Sequence, residues 1–411
     1  MISSIGNWFN TVALLDYISG TPDNGIEEKG IYVSLVLVFA FLPQFLISPI
    51  AGVVADKFNR KTIMIVSDLV RGCLALGFLA ILILRPESIA SFYIIETLLY
   101  STFAFFSSAE SAIIPSIVRS SDELYSANGL GQITWGLMLA VGGFLAGWVI
   151  AYWGYEAAFI LNSLTFFFSA FFIWRVRYKE KAEEGIQGTQ KKSIRTVFKN
   201  HWLELKKGVS YIINDRYVIA LLLVKPGWAL GGGAILMLHT IFGKDVFKAG
   251  SEGISILFMS RGLGVIIGGF LGQWLVRQTS RINVLWIISA LFILHGLFYA
   301  SFSRMPDLFY ASLMLIFATA FSANLWLLSQ VTLQEIVPNE LRGRVFAHDE
   351  GLSTLTMMVS SIFAGWALDQ QVNPRTIALT AAIIIACSGL IVAIALVTRF
   401  LPKRVTKDKT D

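Results

Sequence analysis

The sequence predicts an all-α integral membrane protein, with twelve transmembrane helices arranged as two pseudo-symmetric six-helix bundles. Three observations carry that prediction. The 411 residues are 55% hydrophobic and 15% charged, against about 25% charged residues in a soluble domain. Apolar runs of about 20 residues, enough to cross a ~30 Å hydrocarbon core as a helix, recur from end to end. The two halves also echo each other: "AGWV" at 146–149 returns as "AGWA" at 364–367, and "DEL" at 122–124 as "NEL" at 339–341. Parallel repeats of this kind place a binding site between the halves, near mid-membrane.

Hydropathy places the spans near 1–18, 31–55, 62–84, 90–114, 127–152, 155–176, 217–242, 253–276, 282–303, 307–331, 345–368 and 375–401. The first is short and polar, ~27 Å if wholly helical. Lys and Arg decide the orientation. With the 52–61 turn in the cytoplasm, 24 of the 33 basic residues fall on that side, 6 fall opposite, and Arg71, Lys225 and Arg261 lie within spans. The positive-inside rule then puts both termini in the cytoplasm, in a plasma (inner) membrane. The expected domains are an N-terminal bundle over 1–176, a cytoplasmic linker over 177–216, a C-terminal bundle over 217–401 and a basic tail over 402–411. Within the linker, Ile194, Val197, Phe198, Trp202, Leu205, Val209 and Ile212 follow helical spacing beside lysines, so an amphipathic helix lying on the membrane face is expected. The net charge of +6 is spent on topology, and no nucleic-acid partner is implied. Cys73 and Cys387 sit in distant apolar runs and read as small core residues outside any disulfide. Residues before Lys29 include no Lys or Arg, so a signal-peptide n-region is not expected.

The turn "GVVADKFNRK" between spans two and three carries Gly52, Asp56, Lys57, Arg60 and Lys61, and continues into span three with Asp68 and Arg71. With the 6+6 repeat and the basic linker, this spacing resembles the loop motif of the major facilitator superfamily. "AESAIIPSIVRSSDELYSANGL" (109–130) and "EIVPNELRGRVFA" (335–347) are similar to loops of its drug/proton antiporter branch, which includes macrolide and siderophore exporters. Gly143 stands where that branch usually has proline, and Val276 where the second half would repeat Asp56. Such proteins usually carry further residues before "SSIGNWF", so the first helix is expected to be cut short. The resemblance implies that the turn meets the start of span eleven, near Arg342 and Arg344. Gly52 would permit close approach, and Asp56 would oppose the positive end of that helix. Lys57, Arg60, Lys61, Asp68 and Arg71 would complete an ion-paired latch between halves. The plainer alternative is that the basic residues set topology alone.

Charges inside spans are costly and face the protein interior or a watery cavity. Glu96, ~9 Å into span four, and Asp16, near the outer end of span one, are candidate proton carriers. The alternative for Glu96 is a static pair with a basic group, and for Asp16 contact with interfacial water. Lys225, beside Pro226 in "KPGWALGGG", and Arg261, mid-span in eight, complete the candidates for coupling. Pro226 predicts a kink or loosening of span seven. Gly264, Gly268 and Gly272, at four-residue steps, predict a packing face. His239 and His295 read as hydrogen-bonded structural histidines. By the resemblance, spans one, four, seven and ten line the cavity, which makes Trp8, Asn10, Trp228, Asn324, Trp326 and Gln330 substrate-contact candidates. An aromatic cavity with few charges suits amphiphilic or hydrophobic solutes.

No metal-ligand cluster, P-loop or nucleophile constellation occurs in the sequence, so neither an enzyme nor a cofactor is expected, and a proton gradient is the expected energy source. The expectation is a monomeric secondary transporter in membrane lipid, exporting a small amphiphilic solute against protons by alternating access. The alternatives are uptake or flipping of a metabolite or lysolipid by uniport or symport, and a non-transporting membrane sensor of the same fold.

Overall fold

The computed structural model describes residues 2–20, 29–117, 121–176, 209–278 and 284–397. Their long elements are helices, because in hydrocarbon each backbone N–H and C=O must be paired inside its own segment. The first passes are α1 (Ile2–Gly20), α2 (Lys29–Lys57), α3 (Arg60–Leu84) and α4 (Ile89–Ile117). Asn59 starts α3 by accepting the Thr62 N–H on its side chain, a cap that leaves only Phe58 and Asn59 between α2 and α3. α5 (Ser121–Arg175) holds passes five and six and breaks at Gly154, whose φ of 80° costs glycine alone nothing.

Pass seven comprises α6 (Arg216–Leu222), capped by Asp215, and α7 (Val224–Ile241), continued by a π turn over Phe242–Val246. The break at Leu223 lies three residues before Pro226. The proline ring clashes with the carbonyl four residues back, which is the loosening the sequence implied. α8 (Gly250–Gln278), α9 (Val284–Arg304), α10 (Leu308–Ile336), α11 (Asn339–Asp369) and α12 (Pro374–Val397) complete the chain. Among the described residues ten stretches are long and apolar enough to cross a membrane. One of them, Ile133–Arg175, contains two passes, and α1 supplies the twelfth.

The two halves meet along two antiparallel helix pairs, α5 with α8 and α2 with α11. Small residues let these pairs close up. A Cβ on Gly136 would meet Val265 at 2.8 Å, one on Gly143 would meet Phe258 at 2.7 Å, and one on Gly262 would strike Ala140 of α5. Gly143 thus keeps α5 close to α8. The glycine stripe of α8 packs on α10 as expected, with Gly264 against Ile316 and Thr319, Gly268 against Ala320, and Gly272 against Asn324 and Leu327. Large exposed side chains such as Ile94, Leu98, Phe270 and Ile391 form the lipid-facing surface of the bundle.

Cys73 and Cys387 are free, and both are exposed. They therefore lie on the outer surface of the bundle and not in its core. The linker amphipathic helix falls outside the described residues apart from 209–216, and the basic tail falls outside them entirely.

Candidate functional site

The halves are joined at the membrane end opposite the 52–61 turn, here the far end. Lys244, in the π turn after α7, pairs with Asp16 at the end of α1 across 2.9 Å and donates to Ser19 at 3.3 Å. The other Asp16 oxygen accepts the Ser251 hydroxyl of α8 at 2.5 Å. Asp16 is 1% exposed, so the contact with interfacial water allowed for it is replaced by a buried pair between halves. Beside it, Asp369 at the end of α11 accepts the Gly30 N–H at 2.6 Å and the Ile31 N–H at 2.9 Å. These are free donors of the first turn of α2, where a carboxylate also meets the positive helix end. Gly30 and Gly365 touch backbone to backbone at this point.

Following α2 and α11 away from that contact, Phe45 lies against Gly351. Counting 22 residues on from Gly30 and 22 back from Gly365 brings Gly52 opposite Gly343. Yet a Cβ on either would meet nothing within 4 Å. In this conformation the two helices are in contact at the far end and apart at the turn end. The close helix contact expected at Gly52 is not made here.

Among the expected latch residues, Lys61, Asp68, Arg71 and Arg342 find partners in their own halves. Lys61 donates to the Trp174 and Val176 carbonyls at 2.8 Å each, at the end of pass six. Arg342 donates to the Gln334 carbonyl at 2.5 Å, at the end of α10. Lys57 is exposed, Arg60 and Arg344 are half-buried, and the side chain of Asp56 lies outside the described residues. Arg71 and Asp68 form an ion pair at 3.0 Å with neither side chain exposed. Arg71 also bonds Asn7 of α1 and lies over Phe166, Phe103 and Phe106 at 4.1, 5.0 and 5.6 Å. These two members of the motif are built into the N-terminal half.

Glu96 is fully buried. Its Oε2 accepts the Asn10 amide at 2.5 Å, while Oε1 has no hydrogen-bond partner. The partner is neutral, so the static pair with a basic group is not what the structure contains. One turn along, the Thr11 and Tyr100 hydroxyls share a 3.0 Å hydrogen bond. Glu96 and Asn10 thus tie α4 to α1 through a carboxyl group with spare capacity.

In the C-terminal half, Lys225 of α7 pairs with Asp349 of α11 at 2.7 Å and approaches Glu350 at 3.5 Å. Its ammonium lies 4.8 Å from the Trp326 ring centroid, and Trp228 meets Trp326 edge-on at 5.8 Å. Asp349 is buried whereas the Glu350 side chain is 63% exposed, so the cluster reaches solvent through Glu350. This group brings together Lys225, Trp228 and Trp326 as candidates for solute contact. Gln330 lies half-buried farther along α10. Trp8 meets Trp135 edge-on at 6.0 Å and Phe258 at a tilt at 5.9 Å, at the seam between halves. Asn324 is different: fully buried, it donates to the Ala320 carbonyl at 2.7 Å and abuts Gly272. It belongs to the α8–α10 packing face and is withdrawn as a cavity residue, because the glycine of the stripe makes room for it there. Arg261 lies on α8, and among the described residues no ion pair or hydrogen bond joins it to Lys225 or Glu96.

Five residues that sequence reading passed over complete these sites. Asp349 and Glu350 were visible as adjacent acids in an apolar span. Asp369 had a sharper signal: "AGWALD" (364–369) repeats the A-G-x-x-x-D of "AGVVAD" (51–56). Lys244 and Ser251 carry no such signal, since their pairing depends on how the halves dock.

The family model described as Major Facilitator Superfamily matches residues 1–347 and 247–411. BacE of Bacillus subtilis (strain 168), whose name puts it forward as a bacilysin exporter, is 25% identical over 333 residues, covering 80% of this chain and 78% of that protein. Macrolide efflux protein A of Streptococcus pyogenes is 23% identical over 342 residues, covering 82% and 81%. Among solved structures, a D-xylose–proton symporter superposes with a TM-score of 0.70 at 16% identity, covering 98% of this chain and 97% of that one. At that identity the likeness concerns the fold alone.

Proposed function

Because the chain belongs to the Major Facilitator Superfamily, we propose that it exports a small amphiphilic solute by alternating access, driven by protons. It is a multi-pass membrane transporter. The export direction is supported by the relatives whose names denote efflux. The basic residues around the turn end favour placing that end in the cytoplasm, in a plasma membrane, with both termini on that side and the chain acting as a monomer.

The observation that carries the alternating-access reading is the pair of A-G-x-x-x-D segments at opposite ends of α2 and α11. At the far end Gly365 and Asp369 hold the first turn of α2. At the turn end Gly52 and Asp56 stand in the same relation to the first turn of α11, with the helices parted. Docking Asp56 on that turn while Asp369 lets go converts the cytoplasm-facing state into the outward-facing one. Glu96 supplies the proton site: a buried carboxyl group held by one neutral amide accepts a proton without first breaking an ion pair. Lys225, Trp228, Trp326 and Glu350 line the solute path, where an aromatic face and two charges suit a molecule with both characters.

The test is a proteoliposome assay with an imposed pH gradient and labelled drugs, siderophores and lysolipids. Flux of a panel member that collapses with the gradient supports proton-driven export. Flux indifferent to the gradient removes the proton coupling, and no flux of any member favours the non-transporting alternative.

A further inference from the structure

We propose that the C-terminal half contains a buried site for a small monovalent anion, centred on Arg261 of α8 and completed by His239 of α7 and His295 and Tyr299 of α9. The site is separate from Glu96, from the Lys225 cluster and from both A-G-x-x-x-D segments, and it does not depend on the proposed function. Arg261 is 9% exposed, His295 3%, and His239 and Tyr299 0%. Arg261 lies within electrostatic reach of all three, and Phe258, one turn before it on α8, packs on His239. His295 and Tyr299 lie 6.2 Å apart between ring centroids. Phe302 links the group, 5.0 Å from Tyr299 and 6.3 Å from His239, while Phe258 closes the other side of His239 at 5.7 Å.

The polar atoms of this cluster do not satisfy one another. Arg261 Nη1, both ring nitrogens of His239, His295 Nε2 and the Tyr299 hydroxyl are all buried without a hydrogen-bond partner. Among the described residues no carboxylate pairs with Arg261. A buried guanidinium without a counter-charge is costly, and an unsatisfied buried polar group calls for a binding or strain explanation. The unused atoms are mostly donors. Arg261 has only N–H groups, Tyr299 has its O–H, and neutral His239 offers one N–H. His295 donates its Nδ1–H to the Ala318 carbonyl at 2.7 Å, which leaves Nε2 an acceptor, so this ring borders the site without donating to the anion. Three buried donors, one of them the positively charged guanidinium, in a cluster bordered by two phenylalanines, fit a monovalent acceptor of the size of a halide or a carboxylate. A metal cation would meet the guanidinium's repulsion with no carboxylate paired to Arg261 among the described residues to offset it.

The experiment measures binding of radiolabelled chloride to the purified full chain in nanodiscs, in chloride-free buffer, with unlabelled chloride or acetate as competitor. Saturable binding is expected. Displacement by acetate would assign the site to carboxylates as well, including one carried by a solute; displacement by chloride alone would assign it to inorganic anions. Arg261→Gln is expected to abolish binding. Tyr299→Phe removes only the hydroxyl and is expected to weaken binding ~10-fold, the cost of one hydrogen bond to a charged group. Absence of saturable binding in the unaltered chain would overturn the proposal. So would binding unchanged in both variants, with thermal unfolding showing that each is folded.

Discussion

Asp369 accepts the Gly30 N–H at 2.6 Å, across the boundary between the two halves. This carboxylate, beside the Lys244–Asp16 pair, holds the far end by an ordinary device, a side chain satisfying the free donors of another helix's first turn. The same six-residue pattern lies at the opposite end of the partner helix, where Gly52 faces open space. A carrier needs two gates that exclude each other, and the proposed mechanism assigns both to one motif used twice.

Asp369→Asn keeps the shape and removes the charge. It should shift the conformational equilibrium toward the outward-facing state by ~2- to 5-fold, the value of an anion at a helix N-terminus. Distance measurements between spin labels placed at the far ends of α2 and α11 would read this as growth of the longer-distance population.

Lys244→Met leaves Asp16 buried without its counter-charge. Net transport should fall ~10-fold or more, while the exchanged pair Asp16→Lys with Lys244→Asp should recover part of it. Recovery distinguishes an electrostatic gate from a purely local defect, because only the former tolerates reversal.

Glu96→Gln keeps the bond with Asn10 and removes the titrating group. Gradient-driven accumulation in proteoliposomes should fall by more than ~10-fold, with gradient-free exchange of solute retained. Equal loss of both would place Glu96 in folding or solute binding and not in coupling.

Asp68→Asn should lower stability by ~3–5 kcal/mol, since Arg71 would remain fully buried without its charge partner. The double substitution Asp68→Leu with Arg71→Met should cost less than that single change. Thermal unfolding in one detergent compares them directly.

Helix count, the break in pass seven and the α8 packing face were legible because each rests on local chemistry: span length, a proline ring, glycines at four-residue steps. Asp68 and Arg71 were expected in a latch between halves; their pairing with each other, three residues apart on one helix, is what the structure shows. Pairings between residues far apart in the sequence were not. Asp16 with Lys244, and Lys225 with Asp349, join residues more than a hundred positions apart, and no local spacing specifies them. Asn324 was misplaced because an amide on a pass expected to line the cavity looks alike whether it faces solute or a glycine. Asp369 was the avoidable omission, since its pattern stood in the sequence once the first copy had been noticed.

The central claim is that the turn end closes by bringing Gly52 onto Gly343. Disulfide formation between cysteines at these two positions, in native membranes with Cys73 and Cys387 replaced by serine, tests it most directly. The account predicts that Gly52→Cys with Gly343→Cys cross-links under mild oxidation, that cross-linking stops transport, and that reduction restores it. Full transport by a double variant that never cross-links would contradict the account.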